Sequence, residues 1–256
     1  MALRSGMALS PVFEFADRFI DEQAALDPCL ATARGIPGYD DLLTDFSPGG
    51  HNTRADHTRA ALVKLAALPE TDDNDRLAKD FIIERFATML LAHDTDEWMR
   101  TVRAIAAPTT VLRSTFDLMP REGEEAWTNI AARLHGIPAA LDALRETYEA
   151  GRKDGTVAAR RQAIAAADQC ATWATNRWFD SVADEAAART DLPPELLEQI
   201  RDRAGNSNTA CGEFASYLRD EYAPDADEHD GCGPERYRVG VRAMLGADLD
   251  PQEMYD

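Results

Sequence analysis

The side chains of this chain best suited to chemistry are its histidines, its carboxylates and a few arginines, and their spacing completes no active site. A helical zinc hydrolase needs two histidines one helical turn apart, a glutamate that activates water, and a third ligand. None of the five histidines is followed by glutamate, so His-Glu-x-x-His is absent. His51 and His57 lie six residues apart around an expected helix start, poor geometry for sharing a metal, and both read as surface or capping residues. His93, before Asp94, and His135, before Gly136, sit at expected helix ends, where an imidazolium is stabilised by the C-terminal dipole. A carboxylate-bridged helical metal oxidase needs Glu-x-x-His pairs. No glutamate stands three residues before a histidine.

The remaining candidates are weaker. Asp225, Asp227, Glu228, His229, Asp230 and Gly231 resemble part of a calcium loop, but the glycine falls one position late and no glutamate follows at the twelfth. That run reads as a solvated acidic loop. There is no Gly-x-Ser-x-Gly elbow, no cysteine with an evident histidine partner, and no phosphate loop with a lysine. Arg160 and Arg161 could hold an anion at a helix start, but pairing with nearby acids such as Asp154 accounts for them. No catalytic, cofactor-binding or metal-ligating residue is assigned between Met1 and Asp256.

The elements that would position such residues are helical throughout: an all-α, multi-helix array. Ser10 caps and Pro11 opens a first helix through Val12, Phe15, Phe19 and Ile20, ended by Asp27-Pro28. A short helix through Leu30 stops at Gly35. Residues 36–50 read as a loop, with Pro37-Gly38 and Ser47-Pro48-Gly49-Gly50 as turns. Helices follow from His51 to Leu68, then from the acidic cap at Glu70–Asp75 through Leu77, Phe81, Ile82, Phe86 and Leu90, then through Trp98, Val102 and Ile105 up to Pro108. Phe116 to Pro120 reads as a helix end or bend. Glu122–Leu134 is a helix, Gly136-Ile137-Pro138 breaks it, and Ala139–Ala150 resumes it. One long helix is expected from Thr156 to Arg189, burying Ile164, Ala167, Ala171, Ala174 and Trp178. Pro193-Pro194 opens another, separated by Gly205-Asn206-Ser207 from one carrying Phe214, Tyr217 and Leu218. Pro234 starts a helix through Tyr237, Val241 and Leu245, and Leu249 to Glu253 looks like a further start. Phe116, Leu118, Trp127, Leu134 and Leu144 are the expected core.

The chain has 256 residues and a net charge of −19, with 45% apolar and 29% charged residues. Such acidity disfavours nucleic acid and anionic membranes as partners, because phosphate binding needs a basic face; Asp and Glu occur throughout the chain, however, and spread over solvated helix faces they serve solubility alone. Lys64, Lys79 and Lys153 are its only lysines, a high-GC coding bias rather than an arginine surface. Cys29, Cys170, Cys211 and Cys232 form no Cys-x-x-Cys and read as reduced thiols. No apolar run precedes Phe13 and no window is long enough to span a bilayer, so a cytoplasmic location is expected.

The order and spacing of several motifs resemble the N-terminal half of the bacterial family called domain of unknown function 885. They are the opening Phe13-to-Ile20 helix, Asp27-Pro28, Ala31-Thr32, Gly35-Ile36, Tyr39-Asp40-Asp41 and Ser47-Pro48, then Phe116-Asp117-Leu118-Met119-Pro120, Arg133-Leu134, Ile137-Pro138, Leu141, Leu144 and Gly151, and finally Gly233 to Tyr255. Members of that family are about twice this long, and their later half carries a His-Glu-x-x-Pro-Gly-His-type motif similar to that of helical zinc peptidases. The resemblance implies a metallopeptidase-like hydrolase acting on a peptide-like substrate. Its zinc would sit in a C-terminal half that this chain lacks.

Two readings follow. The chain is a single helical domain, residues 1–256, forming the incomplete N-terminal part of such a hydrolase and inactive alone, with the missing half or another helical chain as partner. Otherwise it is a stand-alone acidic helical binding or scaffold module. The first predicts an exposed apolar face, the second a closed polar surface.

Overall fold

The computed structural model describes residues 9–250 and 252. Among them the chain is all-α, as expected, with no strand. The expectations for the first eight residues and for a helix start at Pro251 and Glu253 lie outside the described residues.

The described chain divides into two compact units. Unit 1 comprises Met1–Gln23, Asn52–Thr95 and Cys232–Asp256; unit 2 comprises Ala24–His51 and Asp96–Gly231. Unit 1 draws on α1 (Pro11–Leu26), α3 (Pro48–Ala66), α4 (Asp73–Asp94) and α11 (Gly233–Leu245). Its helix starts follow capping chemistry. Ser10 Oγ accepts from the Phe13 amide at 3.4 Å, and Asp72 accepts from the Asp75 amide at 2.9 Å. Asp75 is itself buried, held by Ser10 and by the Thr71 hydroxyl at 2.6 Å. The core is small: Val12, Phe15, Phe19, Ala61, Leu65 and Phe86.

Unit 2 holds the larger core. It contains α2 (Pro28–Ala33), a 3-10 turn at Glu97–Arg100, α5 (Pro108–Leu118), α6 (Gly123–Asp154), α7 (Arg160–Thr175), α8 (Trp178–Ala187) and α9 (Pro194–Ser216). Helix α9 continues as a π-helical stretch, Tyr217–Tyr222, into the short α10 (Ala223–Asp225). Helix α9 packs against α6, α7 and α8. Small residues make this close approach possible: Ala163, Ala166, Ala167 and Cys170 on α7, and Ala204, Ser207, Cys211 and Ala215 on α9, are all buried.

Helices α6 and α9 overturn two expected breaks. Gly136-Ile137-Pro138 lies inside the 32-residue α6. Trp127, Ile130, Leu134, Ile137, Leu141, Leu144 and Tyr148 recur at alternating spacings of three and four and are all buried, one unbroken stripe. A proline in a helix interior costs about 3 kcal/mol. Burying each large apolar side chain beyond it is worth roughly 1.5–3 kcal/mol, so continuing the helix wins. Gly136 fits because Leu43 packs there: a Cβ would lie 3.1 Å from its Cδ1. Likewise Gly205-Asn206-Ser207 lies within α9, whose buried Leu196, Ile200, Ala204, Ser207, Cys211 and Phe214 run straight through.

Other expectations err in the opposite direction. The long helix expected over Thr156–Arg189 is two helices, because Arg177 takes a left-handed backbone (φ 49°) between α7 and α8. The buried side of α7 is Ala163, Ala166, Ala167 and Cys170, with Ile164, Ala171 and Ala174 at its margin. Trp98 sits in a single 3-10 turn instead of a helix reaching Ile105, and Pro108 opens α5 instead of ending an element. Pro48-Gly49-Gly50 are the first turn of α3, with Ser47 Oγ accepting from the Gly50 amide at 3.1 Å. Ser-Pro there is a helix start, not a turn. Phe116, Trp127, Leu134 and Leu144 are fully buried, but Leu118 is 56% exposed. Two residues beyond Phe116 on α5, it falls on the opposite face.

Candidate functional site

The densest set of polar and aromatic groups in unit 2 surrounds the π-helical stretch, a feature that often marks functional sites. Pro224 follows that stretch and has no amide to continue the helical ladder. The carbonyls of Ala223 and Pro224, just beyond it, accept from Arg160 Nε and Nη2 at 3.0 and 3.1 Å. Tyr217 donates to Glu149 Oε1 at 2.8 Å. Arg152 bridges Glu149 and Asp225, each at 2.5 Å. Arg145 lies 4.5 Å over the Tyr217 ring and pairs with Glu221 at 2.9 Å. Tyr222 accepts the Ala158 amide at 2.8 Å. An open groove along α6, lined by Asp142, Arg145, Glu146, Glu149, Lys153 and Asp154, runs beside this cluster.

The electrostatics of the cluster close it to acid–base work. Burial opposes ionisation of Glu149, but hydrogen bonds from Arg152 and Tyr217 hold its carboxyl below the usual range. It stays charged, with both bonds on Oε1, and is a poor general base. Burial, together with the bond to Glu149, pushes the Tyr217 hydroxyl well above its ordinary value. Burial also raises Cys170, and raises Cys211 to about 12, so neither thiol is a nucleophile near neutral pH. The arrangement clamps α6, α7 and the end of α9 together.

The other sequence candidates are dispersed. His51 stacks on Trp98 in unit 2, centroids 4.7 Å apart. In unit 1, His57 bonds Glu22 at 2.8 Å and stacks on Phe19 at 5.0 Å. His93 falls in the last turn of α4, as the dipole argument requires, and meets Asn52 at 3.1 Å. His135 is mid-helix and exposed, because α6 does not end there. In the acidic loop, Asp225 pairs with Arg152, Glu228 with Arg160 at 2.9 Å and Asp230 with Arg161 at 2.8 Å. These arginines pair with three of the run's four carboxylates, and the pairing of Arg160 and Arg161 is with this loop instead of Asp154. Among the described residues no group of three or more histidines, cysteines or carboxylates is placed to hold a metal.

Sequence reasoning passed over three buried polar residues that organise unit 2. Arg133 donates to the carbonyls of Leu42 and Tyr39 at 2.9 and 3.0 Å and to Thr32 Oγ1 at 2.7 Å. Ser207 donates to the Leu134 carbonyl at 3.0 Å. Asn208 accepts the Phe179 amide at 3.1 Å and donates to Asp180 at 2.7 Å, capping α8 from another helix. The available signal was a polar residue on or beside an apolar stripe.

The family described as "Bacterial protein of unknown function (DUF885)" matches residues 28–256. The chain belongs to this family. Solved structures with the same fold are "a putative lipoprotein of unknown function" from Shewanella oneidensis (TM-score 0.77, 15% identity, covering 96% of this chain and 44% of that one) and "the putative lipoprotein" from Colwellia psychrerythraea (TM-score 0.72, 11% identity, 97% and 48%). This DUF885 chain therefore spans less than half the length of these structural neighbours. No curated protein matches it. Among its described residues no helix is long and apolar enough to cross a membrane.

Proposed function

We propose that this chain is the N-terminal helical half of a metal-dependent, peptidase-like hydrolase and is inactive alone. One observation carries the two-half reading: nearly all of this fold overlays less than half of each neighbouring chain. The hydrolase reading comes from the motif resemblance, which puts a zinc site of the His-Glu-x-x-Pro-Gly-His type in the other half. Among the described residues no three histidines, cysteines or carboxylates are grouped to hold a metal here. In this reading the helical half walls the substrate cleft and limits access to an extended peptide.

The same proposal keeps the cytoplasm as the compartment, with buried Cys29, Cys170 and Cys211 as thiols, and excludes nucleic acid and membranes as partners on the strength of the −19 charge. The test is reconstitution. The chain alone should cleave no peptide, and co-expression with the remainder of a DUF885 protein should yield zinc-dependent peptidase activity that a chelator abolishes. Unchanged inactivity in a stable complex would refute the hydrolase, and failure to form any complex would refute the two-half reading.

A further inference from the structure

Helix α4 is apolar on two sides. Phe86 is buried in the core of unit 1, with Ala78, Ile82 and Ile83 packed against it. Leu77 and Phe81, one turn apart, are 70% and 64% exposed. A lone exposed leucine needs no explanation. An i,i+4 Leu–Phe pair on a helix that already buries its other side marks a helix meant to lie between two layers.

Helix α11 points the same way. None of its residues is buried, although it carries Tyr237, Val241, Met244 and Leu245, and Met244 is 85% exposed. Polar contacts fasten it to α4. Arg242 meets both Glu84 oxygens at 2.9 and 2.8 Å, and Arg85 donates to the carbonyls of Arg242 and Ala243, each at 3.2 Å. Exposed ion pairs contribute little, and a helix this short is marginal in water without packing.

We propose that the α4–α11 face of unit 1 is the docking surface for helices of the protein's other half, an inference that rests on the two-half reading above. The neighbours' chains continue well beyond the part this fold matches, and that extra chain supplies an occupant. Charge argues against a second copy, because two chains of −19 repel.

Two measurements test the proposal. In the chain as it stands, the double substitution Leu77→Ser with Phe81→Ser should leave the thermal midpoint unchanged and reduce binding of a hydrophobic dye. A lowered midpoint would place these side chains in unit 1's own core and overturn the proposal. Second, the chain is co-expressed with the segment of the Shewanella oneidensis protein outside the match, carrying a photo-crosslinking residue at 81, 244 or 105. Cross-links to that segment are expected from 81 and 244 and not from the exposed Ile105 in unit 2, and the double substitution should lower recovery about tenfold. A complex cross-linked only through 105 overturns the docking face and leaves the two-half reading standing. No complex overturns both, and cross-links between two copies through 81 reassign the face to self-association.

Discussion

Ser207 on α9 donates its hydroxyl to the carbonyl of Leu134 on α6, 3.0 Å away. That carbonyl is the one Pro138 leaves without a helical partner, since the residue four positions on has no amide hydrogen. The same hydroxyl lies 2.8 Å from the Arg203 carbonyl of its own helix, so one proton serves two acceptors. A residue that looks like a helix breaker in α9 thus satisfies the defect left by one that looks like a helix breaker in α6.

This relationship predicts a coupling. Ser207→Ala should destabilise unit 2 by about 1 kcal/mol, the scale of a buried hydrogen bond whose acceptor is left unpaired. In a Pro138→Ala background the restored amide bonds Leu134 within α6, and the same Ser207→Ala change should cost measurably less. Denaturant unfolding of the four chains supplies the cycle. Equal costs in the two backgrounds would show that the hydroxyl does not serve Leu134.

Two glycines should respond in opposite ways. At Gly151 a Cβ would stand 2.5 Å from the Thr156 carbonyl oxygen and 3.2 Å from Met99. The first obstacle is backbone, in the turn closed by the Thr156 amide on the Gly151 carbonyl at 2.8 Å. Gly151→Ala should therefore cost about 1–3 kcal/mol. At Gly205, inside α9, nothing lies within 4 Å of the added carbon, and alanine should stabilise by about 0.5–1 kcal/mol. Thermal unfolding of both variants decides. A destabilised Gly205→Ala would mean that α9 is less regular than described.

The fold class and most helix starts were legible because they depend on local chemistry: Ser10-Pro11, Asp72 and Pro194 each carry their signal within a turn. The misread boundaries are those where distant residues decide. Gly136-Ile137-Pro138 and Gly205-Asn206-Ser207 read locally as breaks, and only the apolar spacing on both sides shows that the helices continue. The split at Arg177 had no comparable cue in an alanine-rich run, since its cause is an Asn208 side chain on another helix that caps the new start. Spacing alone completed no metal or nucleophile motif, and no local pattern could show that Arg152, Arg160 and Arg161 pair with the acidic loop.

Arg133 makes a stronger prediction than any histidine. Fully buried, it ties α6 to α2 and to residues 39–42 through three short hydrogen bonds. Burial alone pushes its guanidinium below the ordinary value, so the acceptors around it keep the charge tolerable. Arg133→Met would leave those carbonyls unmatched and should cost about 2–4 kcal/mol. Limited proteolysis should then cut first within residues 36–47. Lysine should rescue only part of the loss, because one ammonium cannot reproduce a fork of donors. A methionine variant as protease-resistant as the parent would contradict this account.

The clasp between α4 and α11 should be sensitive to acid. Hydrogen bonds from Arg242, then Thr88, lower the Glu84 carboxyl from 4.5 to about 2. The folded value lies below the unfolded one, so the carboxylate's contribution is fully present above about 4.5 and fades as the pH falls towards 2. Hydrogen exchange over Gly233–Leu245, corrected for intrinsic rates, should show protection at pH 6 that declines across that window. Glu84→Gln should lower protection at pH 6 and flatten the decline. High salt should act in the same direction, since the pair is exposed enough to be screened. If α11 keeps its protection in the glutamine variant, the helix is held by something other than this ion pair, and its apolar residues are then better packed than their exposure implies.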